Sequence, residues 1–360
     1  FPPSDTGRKV AQEFYVNKWE TRFSQDQKQA LQLMDDWFKS SEPVFTLTGA
    51  AGTGKSQVAG FFAACVAMED AEDADEEEVE KANDPFAVLT LAANFDDDSV
   101  QFIAPTWRAC REISRKVAGP PVIFPRALSL HAFFYDPLMD ETGALIGWKA
   151  KSADHLRRKL LVLDEASMVP EETVREMVDT IPDLKLLLVG DPFQLQPVSG
   201  ESNALLSSDA HLTVPHRTGE DNGVLDLSQY ILQFGSLPLP TPLPAHFLDG
   251  NPENFPPGVY WAAEHRDYLL KNFAWAFSGE HFIEDRAAIL CWTNRLRCQL
   301  NGRMRSILFP DRGESTVVQK GDGLIGVKSG GGVINSMRYL ASENATGKYR
   351  GINEVRVSTS

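Results

Sequence analysis

The sequence lacks several features that define whole classes of protein. Its 360 residues include four cysteines, Cys65, Cys110, Cys291 and Cys298, and no two of them form a Cys-x-x-Cys pair. This scarcity argues against a zinc site or a disulfide framework and favours buried thiols in a reducing compartment. No apolar run approaches the roughly 20 residues that cross a bilayer, so we expect no membrane partner. The longest run, residues 58–68, predicts a buried helix.

The start of the chain and its overall composition are those of an ordinary globular protein. The chain begins at Phe1, without a methionine and without a signal-peptide pattern, so we expect an excised piece of an intracellular protein. No internal repeat is present. An apolar content of 42% and a charged content of 24% are those of an ordinary globular protein, and the length allows two or three domains.

The net charge of −15 argues at first against a nucleic-acid partner, but its distribution weakens that objection. Residues 69–84 hold ten acidic residues and one lysine, so nine of the negative charges lie in one segment. We interpret this segment as a solvated, mobile insertion. The basic residues cluster in two groups, which are Arg108, Arg111, Arg115, Lys116 and Arg126, and Arg295, Arg297, Arg303 and Arg305. Solvated helix faces and phosphate-binding surfaces both fit these clusters.

Four apolar runs, each ending in small or polar residues, recur along the first half of the chain. They are residues 44–49, 100–106, 159–165 and 184–191. Helix-like segments lie between them, and this alternation predicts an α/β fold with a parallel sheet. Ligands of such sheets bind beyond the carboxyl ends of the strands, so the four polar endings should meet in one crevice.

Residues 49–56, GAAGTGKS, follow the first strand, open a helix and match the phosphate-binding pattern G-x-x-x-x-G-K-[ST]. Its glycines let backbone N–H groups face phosphates. Lys55 should reach the β and γ phosphates, and Ser56 should bind Mg²⁺. The alternative, a glycine-rich turn without a ligand, fits poorly with a strand before and an apolar helix after. The predicted nucleotide-binding residues are Gly49, Gly52, Thr53, Gly54, Lys55 and Ser56.

Two further strand endings predict catalytic residues. Asp164 ends a buried strand, where a carboxylate is costly without a cation, and a shared Mg²⁺ would supply one. Glu165 beside it is a candidate base for the attacking water. A helix cap is the alternative for this pair. In GDPFQLQPV, residues 190–198, Gly190 and Pro192 hold a loop from which Gln194 can contact the γ-phosphate and sense its loss.

GAAGTGKS, DEAS and GDPFQLQPV, in this order and spacing, resemble the RecD-like, Dda-like branch of superfamily 1 helicases. That branch moves 5′→3′ on single-stranded DNA. The resemblance implies a RecA-like P-loop motor domain, the cofactors ATP and Mg²⁺, and single-stranded or forked duplex DNA as partner. We further expect a monomer that cooperates with replication or recombination proteins. Its expected location is the cytoplasm or nucleoid, the nucleus in a eukaryote, or the host cytoplasm if a phage encodes it.

The same resemblance implies further site residues. Gln27, in FSQDQKQAL, matches the adenine contact, and Arg217, in LTVPHR, matches the arginine that reaches the γ-phosphate. The implied DNA contacts are Thr106, Arg108, Ser129 and His131 in the first motor domain, and Thr293 and Asn294 in the second. Arg295 adds a basic side chain beside them.

Aromatic side chains and the histidine have alternatives. Trp107, Phe133 and Phe134 could stack bases or could belong to the core. For His131 the alternative is a structural hydrogen bond.

The predicted domain organisation follows the motifs. Residues 1–133 and 157–235 form the first RecA-like domain, which includes the acidic insertion 69–84. Residues 134–156 predict a β-hairpin where the family has its strand-separating pin. Residues 236–258 are a proline-rich linker. Residues 259–316 begin a second RecA-like domain, with a strand at 287–292 and a helix at 295–308. Residues 317–360 form a partial small SH3-like β barrel.

Departures from the family keep a second hypothesis open. Gln196 stands where the family usually has proline, Ser129 where it has threonine, and Thr218 follows Arg217 in place of glutamine. The His-x-x-Gln-Gly and terminal Thr-Arg or Ser-Arg segments are absent, so we interpret the chain as a fragment lacking its C-terminal motifs. The alternative to a helicase is a nucleic-acid-dependent ATPase or nucleotide-gated DNA-binding module that does not unwind. A P-loop kinase fits the motifs less well.

Overall fold

The computed structural model divides the chain into two compact units, Phe1–Arg217 and Thr218–Ser360. It describes residues 23–68, 99–117, 126–141, 145–197, 202–205, 207–214, 223–236, 266–279, 282, 288–310, 318, 320–325, 338–342, 348–349, 352–353 and 357–358. The acidic insertion 69–84, nearly all of the predicted linker 236–258 and Arg217 lie outside these residues.

The first unit contains a six-stranded parallel sheet and a separate hairpin. Its strands are β1 (Val44–Gly49), β2 (Val100–Ala104), β3 (Leu128–Ser129), β4 (Tyr135–Met139), β5 (Leu145–Ala150), β6 (Leu160–Leu163), β7 (Leu186–Gly190) and β8 (Ala210–Leu212). Its helices are α1 (Gln25–Phe38), α2 (Lys55–Met68), α3 (Trp107–Val117), α4 (Leu130–Phe134), α5 (Ala153–Leu156) and α6 (Glu171–Thr180). The sheet order is β3-β2-β6-β7-β1-β8, and every neighbouring pair is parallel.

This arrangement is a RecA-like P-loop α/β fold, and it confirms the predicted fold class. All four predicted strands are present as β1, β2, β6 and β7. Two strands that the sequence did not predict, β3 and β8, complete the edges of the sheet. They have two and three residues, too few for an apolar run to stand out from its surroundings.

Each central strand sends alternate side chains to opposite faces of the sheet, where they enter two separate cores. In β6, Leu160 and Val162 belong to one core and Leu161 and Leu163 to the other. Helices α1, α2 and α3 cover the first core, and α2 is buried along most of its length, as predicted for residues 58–68. Phe133 and Phe134 are 4% and 0% exposed and belong to the second core. They are therefore core residues and not base-stacking ones.

Lys185, just before β7, joins this strand to the end of α1. Its Nζ donates to the carbonyls of Trp37, Ser40 and Glu42 at 3.1, 2.7 and 2.9 Å, and it lies 5.3 Å from the centre of the Trp37 ring. Burial lowers the pKa of Lys185. The ammonium group thus holds the segment that leaves α1 against the start of β7.

The predicted hairpin is present as the antiparallel pair β4 and β5, which begins at Tyr135 opposite Ala150. The Tyr135 hydroxyl donates to Glu176 of α6 at 2.5 Å, which fixes the base of the hairpin to the domain. Burial and the nearby Glu176 carboxylate raise the pKa of Tyr135. Further along, Met139 and Ile146 are 56% and 67% exposed. The hairpin therefore presents apolar side chains to solvent.

The second unit, where the structure describes it, consists of helices and short antiparallel strands. These are α7 (Gly223–Phe234), α8 (Arg266–Asn272), a 3₁₀ helix (Ala274–Phe277), α9 (Asn294–Leu308), β9 (Gly323–Ile325), β10 (Arg338–Ala341), β11 (Lys348–Tyr349), β12 (Ile352–Asn353) and β13 (Val357–Ser358). Leu270, Ala274 and Met304 form a small core. Asp322 receives two hydrogen bonds from Arg305, at 3.2 and 2.7 Å, which join α9 to the start of β9.

One predicted element of the second unit is wrong and another is confirmed. The helix predicted at 295–308 is α9. The strand predicted at 287–292 is absent from its described residues, 288–292, which have no regular structure. Leu290 and Trp292 are 93% and 94% exposed there, so this apolar run is not a buried strand.

The expectation of buried thiols is only partly correct. Cys110 is buried, and burial raises its pKa to about 11. Cys298 lies on the solvent-facing side of α9 and is exposed. In the described part of the chain, no helix combines the length and apolar character that crossing a membrane requires.

Candidate nucleotide-binding site

The loop of residues 50–54 joins β1 to α2, as the sequence motif requires. Gly54 has a φ of +84°, and a Cβ there would lie 2.5 Å from Nε2 of Gln27, so only glycine fits. Thr53 is fully buried, and its hydroxyl donates to the Ala50 carbonyl at 2.9 Å. Nζ of Lys55 donates to the carbonyls of Gly49 and Ala50 at 2.6 and 2.9 Å. The ammonium group therefore already lies across the mouth of the loop.

Asp164 follows β6 and faces the start of α2. It is 6% exposed, and its Oδ2 accepts a hydrogen bond from the Ser56 hydroxyl at 3.3 Å. Its Oδ1 accepts the backbone N–H of Glu165 at 3.0 Å. Glu165 adopts a left-handed conformation, with φ 55° and ψ 39°, which is uncommon for a residue with a side chain. This turn ends the strand sharply and leads into the 3₁₀ helix Ala166–Met168.

The loop after β7 is organised by Asp191, a residue to which the sequence assigned no role. Its Oδ1 accepts the N–H of Phe193 at 3.0 Å, and its Oδ2 accepts Nε2 of Gln194 at 3.4 Å. The preceding residue, Gly190, lies close to the turn after Asp164, since a Cβ there would be 3.2 Å from the backbone nitrogen of Ala166. Gly190 thereby allows the two strand endings to approach each other.

These strand endings surround one pocket of about 390 Å³, which is within the usual size of small-molecule sites. The pocket is lined by Ala51, Gly52, Gly54, Lys55, Ser56, Gln57, Asp164, Glu165, Gly190 and Gln194. The structure thus brings together Lys55, Ser56, Asp164, Glu165 and Gln194 from three separate stretches of sequence. Gly49 and Thr53 support the loop from behind, and Arg217 lies outside the described residues.

Gln27 joins α1 to the loop of residues 50–54. It is 2% exposed. Its Nε2 donates to the Thr53 carbonyl at 2.9 Å, and its Oε1 accepts the N–H of Ser24 at 3.0 Å. Both ends of this amide are engaged within the protein, and its contact with adenine stays a prediction.

Asp26, also missed from the sequence, connects α1 to a distant segment. Its Oδ2 accepts the N–H groups of Thr213 and Val214 at 2.8 and 3.2 Å. Burial acts to raise the pKa of Asp26, but the hydrogen bonds from Ser24, Thr213, Val214 and Gln27 together lower it to about 2. Asp26 therefore holds the stretch just ahead of Arg217 against the segment that contains Gln27.

We expect this contact to make stability depend on pH. Since the pKa of Asp26 is lowered from 3.8 to about 2 by folding, its contribution is present above pH 3.8 and is lost as the pH falls towards 2. Asp26→Asn should lower the free energy of unfolding at pH 7 by on the order of 1 kcal/mol. The difference in the free energy of unfolding between this variant and the wild type should become smaller below pH 4, as measured by denaturant unfolding across a pH series. Asp36→Asn, an exposed carboxylate on the same helix, is the control, and a gap that stays constant with pH would contradict the assignment.

The predicted DNA contacts of the first unit lie near one edge of the sheet, where β2 and β3 end. Ala104 pairs with Ser129, so the segments after them start side by side. Thr106 and Arg108 are exposed, whereas Trp107 packs partly on the core beneath Arg126. The Thr106 hydroxyl accepts the N–H of Ala109 at 3.2 Å, which caps the start of α3.

Two further predicted contacts have structural roles at the base of the hairpin. Ser129 is 8% exposed and caps α4 by accepting the N–H of Ala132 at 3.2 Å. His131 is exposed, and its ring lies 5.6 Å from the rings of both Tyr135 and Trp148 in the hairpin. DNA binding by both residues stays a prediction.

The predicted contacts of the second unit lie at the start of α9. Thr293 caps this helix by accepting the N–H of Leu296 at 3.2 Å. Asn294 and Arg295 follow it and are exposed. All three are accessible to a ligand of that unit.

The donor set of the pocket fits a magnesium ion. Mg²⁺ prefers oxygen ligands and is usually held by one or two protein groups together with substrate phosphates. The Ser56 hydroxyl and the Asp164 carboxylate supply such oxygens 3.3 Å apart. Among the described residues, no three or more His, Cys, Asp or Glu side chains gather as a metal site.

A family model described as an AAA domain matches residues 22–222, more than half of the chain. The chain belongs to this family. It comprises the RecD-like and Pif1-like helicases, so the resemblance to superfamily 1 is confirmed. The match to the AAA-domain family covers all six strands of the parallel sheet and the whole pocket.

Solved structures of Pif1 helicases are similar to the chain at 14% identity. A structure of two coordinating Pif1 helicases at forked double-stranded DNA covers 93% of this chain and 74% of its own, with a TM-score of 0.47. The match to Pif1 from Bacteroides with ADP-AlF3 and single-stranded DNA covers 91% of this chain and 71% of the Pif1 chain, with a TM-score of 0.45. The match to Pif1 from Candida albicans covers 89% of this chain and 68% of the Pif1 chain, with a TM-score of 0.39. No curated protein sequence matches the chain.

Proposed function

We propose that this chain is the motor part of an ATP- and Mg²⁺-dependent 5′→3′ DNA helicase. The observation that carries the proposal is the pocket itself. A lysine at the phosphate loop, a buried aspartate, an adjacent glutamate and a glutamine from the next strand line one cavity. Membership of the AAA-domain family supports the same function.

In this proposal the loop residues bind the triphosphate of ATP. Lys55 exchanges its two carbonyl partners for phosphate oxygens, and the N–H groups of the loop face the same phosphates. Ser56 and Asp164 hold Mg²⁺, which neutralises phosphate charge when it is bound. Gln27 selects adenine from the segment attached behind the loop.

Hydrolysis requires a base and a means of sensing its result. The carboxylate of Glu165 accepts a proton from the water that attacks the γ-phosphorus. Glu165 follows Asp164 directly, has a left-handed backbone conformation and lines the pocket. Gln194, on the loop after the neighbouring strand β7, donates to the γ-phosphate and loses this partner when the bond between the β and γ phosphates is cleaved. Arg217 adds positive charge at the γ-phosphate.

The proposed DNA track lies along the edge of the sheet where β2 and β3 end. Thr106, Trp107, Arg108, Ser129 and His131 contact the strand near the hairpin, whose exposed apolar side chains separate the duplex. Thr293, Asn294 and Arg295 form the corresponding contacts of the second unit. We further propose that the protein acts inside the cell as a monomer and serves replication, recombination or repair.

The deciding experiment uses a fluorescent forked duplex and the full-length protein. We expect ATP-dependent strand release from a substrate with a 5′ single-stranded arm, and none from one with only a 3′ arm. ATP hydrolysis stimulated by single-stranded DNA without any strand release would instead support an ATPase that does not unwind. Equal release from an RNA arm would show that the track does not select DNA. Phosphorylated product without DNA-stimulated ADP release would refute both functions.

A further inference from the structure

The loop of residues 191–197, which carries Gln194, has almost no apolar burial to hold it. Phe193 and Leu195 are 72% and 67% exposed, and Pro197 at its end is the one apolar residue of the loop that is buried. Since hydrophobic burial does not determine the path of this loop, its hydrogen bonds have to. Asp191 supplies those at the start.

Gln196 supplies the hydrogen bonds at the end of the loop. Its Nε2 donates to the carbonyl of Pro192 at 3.0 Å and to that of Gln194 at 3.1 Å. The side chain thus folds back across the loop and holds backbone groups on both sides of Phe193. One of those groups belongs to Gln194, the residue that lines the pocket.

Asn203 holds Gln196 from outside the loop. Its Nδ2 donates to Oε1 of Gln196, and its Oδ1 accepts the N–H of Leu205 at 2.8 Å. These bonds engage both the nitrogen and the oxygen of the Asn203 amide, and the first of them joins the two side chains.

Asn203 is itself fixed to the segment that follows Glu165. It forms an antiparallel bridge with Pro170, and the N–H of Ala204 donates to the Val169 carbonyl at 2.9 Å. The neighbouring Leu205 is 6% exposed, and its Cδ1 would lie 2.7 Å from a Cβ on Gly190. Ala204 and Leu205, which follow Asn203, therefore contact the segment after β6 and the end of β7, the two strands whose endings line the pocket.

We infer that Gln196 and Asn203 form a clasp that positions Gln194 relative to the turn at Glu165. Both are positioning residues, because they act through Gln194 and line no part of the pocket. The inference rests on the proposed function. Where related helicases usually have proline, which restricts the loop by fixing φ, this chain restricts it by a side-chain bridge to the segment after the catalytic glutamate.

The clasp is tested first without ATP, by hydrogen–deuterium exchange of the loop amides. Gln196→Ala and Asn203→Ala should each speed exchange of the amides of residues 193–196 by roughly three- to tenfold, as expected for the loss of one or two hydrogen bonds. Gln196 is exposed and Asn203 is half-buried, and neither belongs to a hydrophobic core, so the fold should survive. Gln32→Ala, an exposed glutamine on α1, is the matched control. Unchanged exchange in both clasp variants would overturn the inference, whatever the protein does with ATP.

The second measurement is steady-state ATP hydrolysis with single-stranded DNA. Both variants should lower kcat by roughly three- to tenfold and leave KM nearly unchanged, because they misplace Gln194 without removing a nucleotide contact. The double variant should lose no more than either single one, and Gln196→Pro should recover most of kcat. Additive losses, or a proline variant no better than alanine, would overturn the inference. A wild type without DNA-stimulated hydrolysis would remove the proposed function and leave the exchange result to decide the clasp.

Discussion

Lys55→Ala should reduce DNA-stimulated ATP hydrolysis by at least about 100-fold, the usual cost of removing a charged group that stabilises a transition state. The lysine is placed for this role before any phosphate arrives, since its Nζ lies 2.6 and 2.9 Å from the two carbonyls at the mouth of the loop. Triphosphate oxygens would replace those carbonyls as partners. The rate of ADP release, with and without single-stranded DNA, measures the effect.

Lys28→Ala is the matched control for this experiment, because Lys28 is an exposed lysine on the neighbouring helix α1. It should leave turnover unchanged. Circular dichroism of both variants separates loss of catalysis from loss of fold. Undiminished turnover in folded Lys55→Ala would refute the assignment of the pocket as the site of hydrolysis.

Glu165→Gln should separate binding from chemistry. The amide has nearly the same size as the carboxylate and can keep the left-handed backbone, but it cannot accept a proton from water. We expect ATP affinity within about threefold of wild type and a hydrolysis rate lowered by roughly 10²- to 10⁴-fold. Binding of a fluorescent ATP analogue and single-turnover hydrolysis measure the two quantities separately.

Glu171→Gln serves as the control for this change, since Glu171 lies on the first turn of α6 and pairs with Arg175 away from the pocket. It should retain full activity. A folded Glu165→Gln protein that fails to bind ATP would count against the role of general base and favour a structural role at the turn.

The elements that the sequence predicted correctly are those whose pattern is local. Strands β1, β2, β6 and β7 are apolar runs that end in small or polar residues, and α2 follows directly from the glycine-rich motif. The strand predicted at 287–292 had a similar apolar composition, yet Leu290 and Trp292 remain exposed. A short apolar run forms a strand only if a neighbouring strand is there to pair with it, and that condition is not written in the run itself.

The missed site residues share a different property, which is that their partners are distant in sequence. Asp26 contacts Thr213 and Val214, nearly the whole first unit away along the chain. Asp191 was visible as part of a motif, but its hydrogen bonds to Phe193 and Gln194 depend on how the loop turns. An aspartate next to a glycine and a proline fits many turns, so composition alone assigns it no partner.

The local sequence is enough to predict which strands end in a phosphate-binding loop, an acidic pair and a glutamine, and therefore which class of ligand they suit. Such motifs work through backbone conformation and residue type over a few positions, and both are local properties. The folded structure was needed to show that Ser56 contacts Asp164, that Phe133 and Phe134 belong to the core, and that Asn203 bonds to Gln196. These contacts arise only when parallel strands are placed side by side, because the order of strands in the sheet, β3-β2-β6-β7-β1-β8, differs from their order in the chain.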